Sequence, residues 1–258
     1  MPFPSRILEV IKHTDIEYTF RMAFTGEAKP GQFFEVSIPK YGEAPISISG
    51  IGEGYVDLTI RKVGKVTGEV FEHYAGDTLL LRGPMGNGFP VEKFKGKSLF
   101  IITGGTGLAP VRGVIEHFAQ FPDERENMTV LASFKKEEDI LFHKDMERWK
   151  ERMNICVTLT REISSGACRI GRVANHIAEL MPDTPKNTIP VIVGPSELMH
   201  SSAKLLLELG VPEENIWISE ERKMCCGLGK CGHCRVNSTY ICLDGPVFNY
   251  PVGKKLFD

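Results

Sequence analysis

The sequence predicts a β-barrel, then an α/β doubly wound domain of the nucleotide-binding type, and last a small cysteine-rich lobe. Three observations predict this order. Short strands separated by turn residues fill the first part, strands alternate with helices after Lys97, and five of the seven cysteines lie between Cys225 and Cys242. A chain of 258 residues can form two compact domains, each with its own core. We place the boundaries at 1–96, 97–222 and 223–258.

Composition excludes several classes of function. The formal net charge is −2, and no basic tract is present that would suit nucleic acid or an anionic membrane. Met1–Val10 lacks the apolar core of a secretory signal, and the longest apolar runs have the length of strands, too short for a membrane span. We therefore expect a cytoplasmic protein with no nucleic-acid or membrane partner.

The barrel is predicted from short segments rich in β-branched and aromatic residues whose polarity roughly alternates. Turn signals such as Pro30–Gly31 and Gly76–Asp77 separate them, and one short helix is predicted over Thr67–Tyr74. Many short strands at even spacing are typical of a closed or nearly closed barrel. The predicted strands are Ile7–His13, Ile16–Phe24, Phe33–Ile38 and Tyr55–Lys62.

The α/β domain is predicted from a regular alternation of strands and helices, which implies a parallel sheet. Its predicted strands are Leu99–Thr103, Met128–Phe134, Ile155–Leu159 and Pro190–Val193. Its predicted helices are Leu108–Phe121, Asp139–Arg152, Val173–Leu180 and Glu197–Leu209.

The cysteine lobe contains a C-x4-C-x2-C spacing followed by one more cysteine, which is the plant-type arrangement for a [2Fe–2S] cluster. The predicted ligands are Cys226, Cys231, Cys234 and Cys242. Interleaved glycines allow backbone amides to approach the sulfurs. A structural zinc site with four cysteines is the alternative, but such sites usually have two C-x2-C pairs and only one is present here. The spacing favours the cluster.

The remaining cysteines and the nearby histidine are predicted to be non-ligands. Counting from Cys225 breaks the spacing, and His233 alone cannot form a Rieske centre, which needs two histidines. Cys156 and Cys168 stand apart and are expected to pack as small apolar residues.

A glycine-rich turn joins the first α/β strand to the following helix. Backbone N–H groups and the positive end of a helix make such a turn suitable for a pyrophosphate, although it matches neither the P-loop nor G-x-G-x-x-G. A second strand ends at Gly194–Pro195, and the two turns together predict a dinucleotide crevice at the strand ends. Arg161 follows the third strand, where it could meet the 2′-phosphate of NADPH, although an arginine in this position is more often a solvated loop residue. The predicted contacts are Gly104, Gly105, Thr106, Gly107, Pro110, Gly194, Pro195 and Met199.

The segments GGTGLAP and GP…M resemble the nicotinamide half of the ferredoxin–NADP reductase superfamily. The resemblance implies that the preceding barrel binds FAD and that NADH is the nucleotide. The family's Arg-x-x-Ser/Thr flavin segment falls on Ala44–Ser47, where Ala44 replaces the arginine that meets the diphosphate. The implied flavin contacts are Pro45, Ile46, Ser47, Ile60, Arg61, Lys62 and Thr67.

Members of this superfamily with the cluster at the carboxyl end include the electron-transfer subunit of dihydroorotate dehydrogenase and the gamma subunit of sulfhydrogenase. The segments GEAPISIS, IRKVGKVT, RGPMGNGFP, VGPSELM, GKCGHCRV and CLDGPVFNYPV are most similar to the electron-transfer subunits of anaerobic sulfite reductases. The missing arginine is part of that likeness.

This resemblance implies an oxidoreductase subunit with no acid–base catalytic residues. Electrons would pass from NADH through FAD and the cluster to partner iron–sulfur and sirohaem subunits, which reduce sulfite to sulfide. A subunit of a dihydroorotate dehydrogenase or a sulfhydrogenase is the alternative. A zinc-stabilised nucleotide-binding regulator is the alternative from a different class.

Overall fold

The computed structural model describes residues 1–161 and 168–257. Two compact units divide the chain: one contains 1–89, 109–113 and 221–247, and the other contains 90–108, 114–220 and 248–258. The cysteine segment therefore groups with the amino-terminal residues. The boundaries that we placed at 96/97 and 222/223 stay predictions, and residues 162–167 of the predicted α/β domain lie outside the described residues.

The first unit contains a closed antiparallel barrel with the strand order β1-β2-β5-β4-β3-β6. Its strands are β1 (Phe3–Lys12), β2 (Glu17–Ala23), β3 (Phe33–Ile38), β4 (Gly42–Gly52), β5 (Tyr55–Arg61) and β6 (Thr78–Met85). Along β3, Phe34, Val36 and Ile38 pack into the barrel core. Because side chains alternate along a strand, Glu35 and Ser37 lie on the opposite face. The predicted barrel is confirmed.

The barrel's helix, α1 (Lys65–Val70), begins and ends earlier than predicted. It begins early because Thr67 Oγ1 accepts hydrogen bonds from the N–H groups of Val63 and Gly64, which makes Thr67 the residue that stabilises the helix start. It ends early because the carboxylate of Asp77 accepts the N–H of Tyr74 at 2.8 Å, which favours a turn there.

The second unit contains strands and helices in alternation, as predicted. Its strands are β7 (Ser98–Gly104), β8 (Met128–Phe134), β9 (Asn154–Leu159), β10 (Arg169–Ile170), β11 (Thr188–Val193) and β12 (Trp217–Ser219). The helices that alternate with these strands are α2 (Val91–Phe94), α3 (Leu108–Gln120), α4 (His143–Lys150), α5 (Ala174–Leu180) and α6 (Ser196–Glu208). Residues 109–113 of α3 are grouped with the first unit. Along α3, Leu108, Val111, Ile115 and Phe118 are fully buried at helical spacing, which explains why this segment forms a packed helix.

The carboxyl-terminal segment contains short elements: β13 (Arg235–Val236), β14 (Thr239–Tyr240), α7 (Ile241–Asp244), β15 (Val247–Asn249) and α8 (Tyr250–Gly253). Strands β13 and β14 pair with each other, whereas β15 joins the edge of a seven-stranded sheet of order β10-β9-β8-β7-β11-β12-β15. The pairs from β10 to β12 are parallel, as predicted.

Helix α4 is shorter than the predicted Asp139–Arg152. Phe142 has a left-handed backbone (φ 58°), so a continuous helix cannot pass through it, and residues 137–139 form a separate 3-10 turn. Among the described residues, no helix has both the length and the apolar character needed to cross a membrane.

Candidate functional site

The glycine-rich turn lies at the carboxyl end of the central strand β7. Gly104 ends the strand, Gly105–Gly107 form a 3-10 turn and α3 begins at Leu108. A Cβ atom on Gly107 would lie 2.4 Å from the carbonyl oxygen of Val193, at the end of the neighbouring strand β11. The two strand ends that the sequence singled out are therefore in direct contact.

The second turn completes this edge of the sheet. Gly194 follows β11 in a conformation with φ +158°, and Pro195 precedes α6. A Cβ atom on Gly104 would lie 2.7 Å from Leu198 Cδ1 in α6, so these backbones approach too closely for side chains between them. Met199 is buried inside α6, and Pro110 is buried in the first turn of α3.

Two buried hydroxyl groups near this edge have no hydrogen-bond partner among the described residues. They are Thr103 Oγ1, in β7 just before the glycine turn, and Thr158 Oγ1, in β9. A buried hydroxyl without a partner is costly unless a ligand or water satisfies it. Together with the glycine cradle, the Thr103 hydroxyl fits a bound nucleotide at this edge.

Arg161 lies at the same edge of the sheet. Its N–H donates to the carbonyl oxygen of Lys135 at 2.9 Å, just after β8, and the residue is exposed. Because β9 runs parallel to β8, and β8 runs parallel to β7, Arg161 follows a strand whose carboxyl end faces the same way as the glycine turn.

The predicted flavin segment lies in the middle of β4. Pro45 pairs with Glu35 and Ser47 with Phe33, and both are half-buried. Ile46 packs against the barrel core and pairs with Phe34 of β3. This half-exposed strand of a closed barrel can accept the edge of a ring system.

The other predicted flavin residues differ in whether their side chains are free to contact a cofactor. Ile60 is fully buried in the barrel, and the hydroxyl of Thr67 is occupied at the start of α1. Arg61 pairs with Glu17 at 3.1 Å while its side chain is 44% exposed, and Lys62 is 3.9 Å from Glu72. Two cationic side chains therefore lie close in sequence to α1, on the same barrel as Ala44.

The four predicted cluster cysteines form two pairs. The N–H of Cys231 donates to Cys226 Sγ and the N–H of Cys242 donates to Cys234 Sγ, and Cys225 belongs to neither pair. Cys234 and Cys242 are buried, whereas Cys231 is exposed. A [2Fe–2S] cluster has two irons, each of which takes two thiolates, so two pairs of thiols match its ligand set.

Backbone N–H groups surround these sulfurs. Cys226 Sγ accepts from Leu228, Lys230 and Cys231 at 3.4 Å each. Cys242 Sγ accepts from Gly229 at 3.3 Å, and the N–H of Cys242 donates to Cys234 Sγ at 3.5 Å. Such donors stabilise negative charge on thiolates and tune the potential of an iron–sulfur centre.

Amide donors and burial shift the pKa values of two of these thiols in opposite directions. The three donating amides lower the pKa of Cys226 to about 6. Burial raises the pKa of Cys242 to about 12, although the N–H of Gly229 opposes this shift.

Nothing in the described ranges, 1–161 and 168–257, gathers three or more His, Cys, Asp or Glu side chains tightly around a point for a single metal ion. The fit to a cluster is therefore argued from the thiol pairs and their amide donors. His233 and Cys225 are exposed, Cys156 is buried in β9 and Cys168 is half-buried.

Several polar residues near the cysteines were not predicted as site residues, although Arg82 and Asn87 lie in the segment RGPMGNGFP and Glu43 lies in GEAPISIS. Arg82 in β6 donates to the carbonyl oxygens of Cys226 and Cys225. Glu43 pairs with Arg82 at 2.5 Å, and Glu35 is fully buried beside them. Asn87 contacts the segment after Cys242. A glutamate in the middle of an otherwise apolar strand (FFEVSI) is a further signal in the sequence that could have indicated this cluster of charges.

A closed barrel, a glycine-lined edge of a parallel sheet and a paired set of cysteines together define a flavin- and nicotinamide-dependent reductase with an iron–sulfur centre. Comparison with known proteins gives the family.

A family model for the oxidoreductase NAD-binding domain matches residues 101–204, and one for the iron–sulfur cluster binding domain of dihydroorotate dehydrogenase B matches residues 221–251. The gamma subunit of sulfhydrogenase 1 from Pyrococcus furiosus is 38% identical, covering 95% of this chain and 89% of its own. The probable electron-transfer subunit of dihydroorotate dehydrogenase B from the same organism is 30% identical, covering 93% and 85%.

Comparison with solved structures agrees with these sequence similarities. An NADH-dependent reduced ferredoxin–NADP oxidoreductase, studied for flavin-based electron bifurcation, aligns with a TM-score of 0.80 at 25% identity, covering 96% of this chain and 88% of that one. A ferredoxin–NADP reductase from Neisseria gonorrhoeae aligns with a TM-score of 0.73 at 20% identity and supports the fold, covering 84% and 97%.

The chain belongs to the family of ferredoxin–NADP reductase-like electron-transfer subunits that includes the sulfhydrogenase gamma subunit and the electron-transfer subunit of dihydroorotate dehydrogenase B. It is an NAD-dependent flavin and iron–sulfur oxidoreductase subunit, and its cofactors are FAD, a nicotinamide nucleotide and an iron–sulfur cluster. The predicted fold class and cofactors are confirmed. The individual contact residues stay predictions.

Proposed function

We propose that this chain takes electrons from NADH and passes them through FAD and a [2Fe–2S] cluster to a partner subunit. The observation that supports this best is the paired cysteine set with its amide donors, which lies in the same compact unit as the barrel. Electrons that reach the cluster then have an exposed ligand, Cys231, beside solvent and any partner.

The cofactors supply the redox chemistry. A nicotinamide gives two electrons together, a cluster accepts one at a time, and a flavin exchanges electrons in both ways. The chain's own residues bind the nucleotide and the flavin and orient them. In this proposal the amides of Gly105–Gly107 meet the nucleotide pyrophosphate, and Pro45 and Ser47 face the flavin. Arg61 and Lys62 supply the positive charge that Ala44 lacks.

We favour NADH as the nucleotide. Arg161 is exposed at the correct edge for a 2′-phosphate, and Lys135 lies beside it. Exposed cations on loops are common, however, and the similar electron-transfer subunit from Pyrococcus furiosus belongs to a dihydroorotate dehydrogenase B that is named for NAD(+). The clustered cysteines must stay reduced to bind a metal centre, and the reducing environment of the cytoplasm keeps them so, which supports a cytoplasmic location.

For the partner, the sequence resemblance favoured a sulfite reductase, whereas the comparisons favour the alternative. Both gamma subunits of the Pyrococcus furiosus sulfhydrogenases match nearly the whole chain, at 38% and 34% identity. We therefore propose a sulfhydrogenase-like complex first. A sulfite reductase with iron–sulfur and sirohaem subunits is the second candidate. Ala44 favours it over a dihydroorotate dehydrogenase, whose electron-transfer subunit usually has an arginine there.

The test uses the full chain purified without oxygen. We expect a yellow-brown protein with one flavin and two irons per chain, which reduces ferricyanide with NADH and by itself makes no sulfide from sulfite. Partner subunits of a sulfhydrogenase, a sirohaem sulfite reductase or a dihydroorotate dehydrogenase are then added in turn. Restored turnover identifies the partner. Zinc in place of iron would contradict the electron-transfer role and favour the zinc-stabilised nucleotide-binding regulator. Sulfide made by the purified chain alone would also contradict the electron-transfer role.

A further inference from the structure

Strand β6 contacts the amino-terminal side of the cysteine segment. Arg82 Nη1 donates to the carbonyl oxygen of Cys226 at 2.6 Å, and Nη2 is 3.4 Å from the carbonyl oxygen of Cys225. Three residues further on, Met85 packs against Gly227, where a Cβ atom would lie 2.1 Å from the methionine sulfur. The main chain at the first predicted ligand is thus held against the barrel wall.

The turn after β6 holds the other side of the same segment. Asn87 Nδ2 donates to the carbonyl oxygens of Asp244 at 2.9 Å and Val247 at 2.8 Å. The N–H of Asn87 donates to the carbonyl oxygen of Gly245 at 2.8 Å. Residues within the short stretch 82–87 therefore contact the chain on both sides of the thiol set.

Of the three side chains that make these contacts, only Arg82 is charged. Its side chain is 15% exposed and pairs with Glu43 at 2.5 Å, and Glu43 in turn accepts a hydrogen bond from Ser37 at 2.6 Å. Hydrogen bonds from a charged donor are about twice as strong as those between neutral groups. The guanidinium stays protonated, and its planar fork reaches the carboxylate and the loop carbonyls at once.

We propose that Arg82 is a positioning residue for the iron–sulfur centre. It fixes the main chain of Cys226 and favours the reduced cluster. Reduction adds one electron from the flavin, and hence one negative charge, to the cluster, and no bond is broken. A fixed positive charge near Cys226 stabilises that added charge. The inference rests on the proposed assignment of Cys226 as a ligand.

The experiment compares four variants of the full chain, loaded with both cofactors. Arg82→Gln removes the positive charge. Arg82→Lys keeps the charge but loses the planar guanidinium that reaches several acceptors at once, and Glu43→Gln removes only the opposing carboxylate. Arg21→Gln is the matched control, since Arg21 is also a barrel arginine that pairs with a carboxylate, Asp57, at 2.8 Å. A redox titration followed by absorbance and electron paramagnetic resonance gives the cluster potential, with the flavin potential as internal reference. Iron loss to a chelator gives a second readout.

In Arg82→Gln we expect the ratio of reduced to oxidised cluster at a fixed potential to fall roughly tenfold, which is about 59 mV for one electron. Glu43→Gln should shift the ratio upward, and Arg21→Gln should leave it unchanged. Arg82→Lys should lose iron faster than the wild type, which keeps the proposal testable if Arg82→Gln does not fold. An unchanged potential in Arg82→Gln, or wild-type iron retention in Arg82→Lys, would overturn it. A wild type without a cluster signal would instead refute the proposed function.

Discussion

A Cβ atom on Gly107 would lie 2.4 Å from the carbonyl oxygen of Val193 and 3.0 Å from Gly194 Cα. Both neighbours are backbone atoms at the end of an adjacent strand, so neither can move aside without shifting the sheet edge. Gly107 has φ −60°, which any residue can adopt, and its glycine is therefore explained by the close approach alone.

Gly107→Ala should therefore lower the free energy of unfolding by about 1–3 kcal/mol through overpacking and raise the KM for NADH, because the displaced turn carries the amides proposed to meet the pyrophosphate. Thermal unfolding and steady-state kinetics measure the two effects. Gly68→Ala is the control, since a Cβ atom at Gly68 in α1 meets nothing within 4 Å. Equal stability of the two variants would contradict the close packing of the strand ends.

The sequence predicted the elements whose signal is local. Strand β8 matches the predicted Met128–Phe134 because a short, mostly apolar run between turn signals favours an interior strand, and all seven of its residues are buried. The crevice was predicted because glycines directly follow two buried strands. Gly107 and Val193 are in contact because β7 and β11 are neighbours in the sheet, and the order of elements already implied this.

What the sequence did not predict depends on contacts between distant segments. Phe3–Arg6 became the start of β1 because it pairs with β6, more than seventy residues later. Arg82 lies in an ordinary strand, and it acquires a role only because the cysteine segment folds back onto the barrel. Thr67 was expected at a cofactor, and the structure places its hydroxyl at the start of α1.

The ligand set of the cluster can be tested one cysteine at a time. Cys226→Ser, Cys231→Ser, Cys234→Ser and Cys242→Ser should each lose the cluster, because each removes a thiolate from one of the two pairs and serine is a poorer ligand for iron. Cys225→Ser should keep it, since Cys225 lies outside both pairs. Iron content and the visible spectrum after anaerobic purification show which variants keep the cluster. A colourless Cys225→Ser protein beside a brown Cys226→Ser protein would mean that the register is wrong.

Nucleotide preference can be tested at Arg161. Wild-type flavin reduction in a stopped-flow instrument should be faster and saturate at lower concentration with NADH than with NADPH. Arg161→Asp should widen this preference, since the new carboxylate would repel a 2′-phosphate. Arg169→Asp is a suitable comparison, because Arg169 is also a cation of this sheet but pairs with Glu179. A wild-type preference for NADPH would instead make Arg161 a specificity residue.

The last prediction concerns the buried carboxyl of Glu35, whose two oxygens have no hydrogen-bond partner among the described residues. Burial raises the pKa of Glu35 to about 7, opposed by the charge of Arg82 and reinforced by Glu43 and Cys226. The folded protein thus holds this proton more tightly than the unfolded chain, in which the pKa is about 4.3. Between these two pKa values the native state binds more protons, so stability falls as the pH rises from about 4.5 to about 7.

Glu35→Gln cannot ionise and should not show this loss. Relative to the wild type, the free energy of unfolding of the variant should rise by roughly 3 kcal/mol between pH 5 and pH 8, since each pKa unit corresponds to about 1.4 kcal/mol. The constant cost of burying an amide cancels in this comparison, because only the change with pH is measured. Denaturant unfolding of the loaded protein at both pH values tests it, with Glu53→Gln, in the exposed turn between β4 and β5, as the control. A difference between Glu35→Gln and wild type that stays constant with pH would mean that Glu35 is already ionised at pH 5 in the folded protein, with Arg82 outweighing burial.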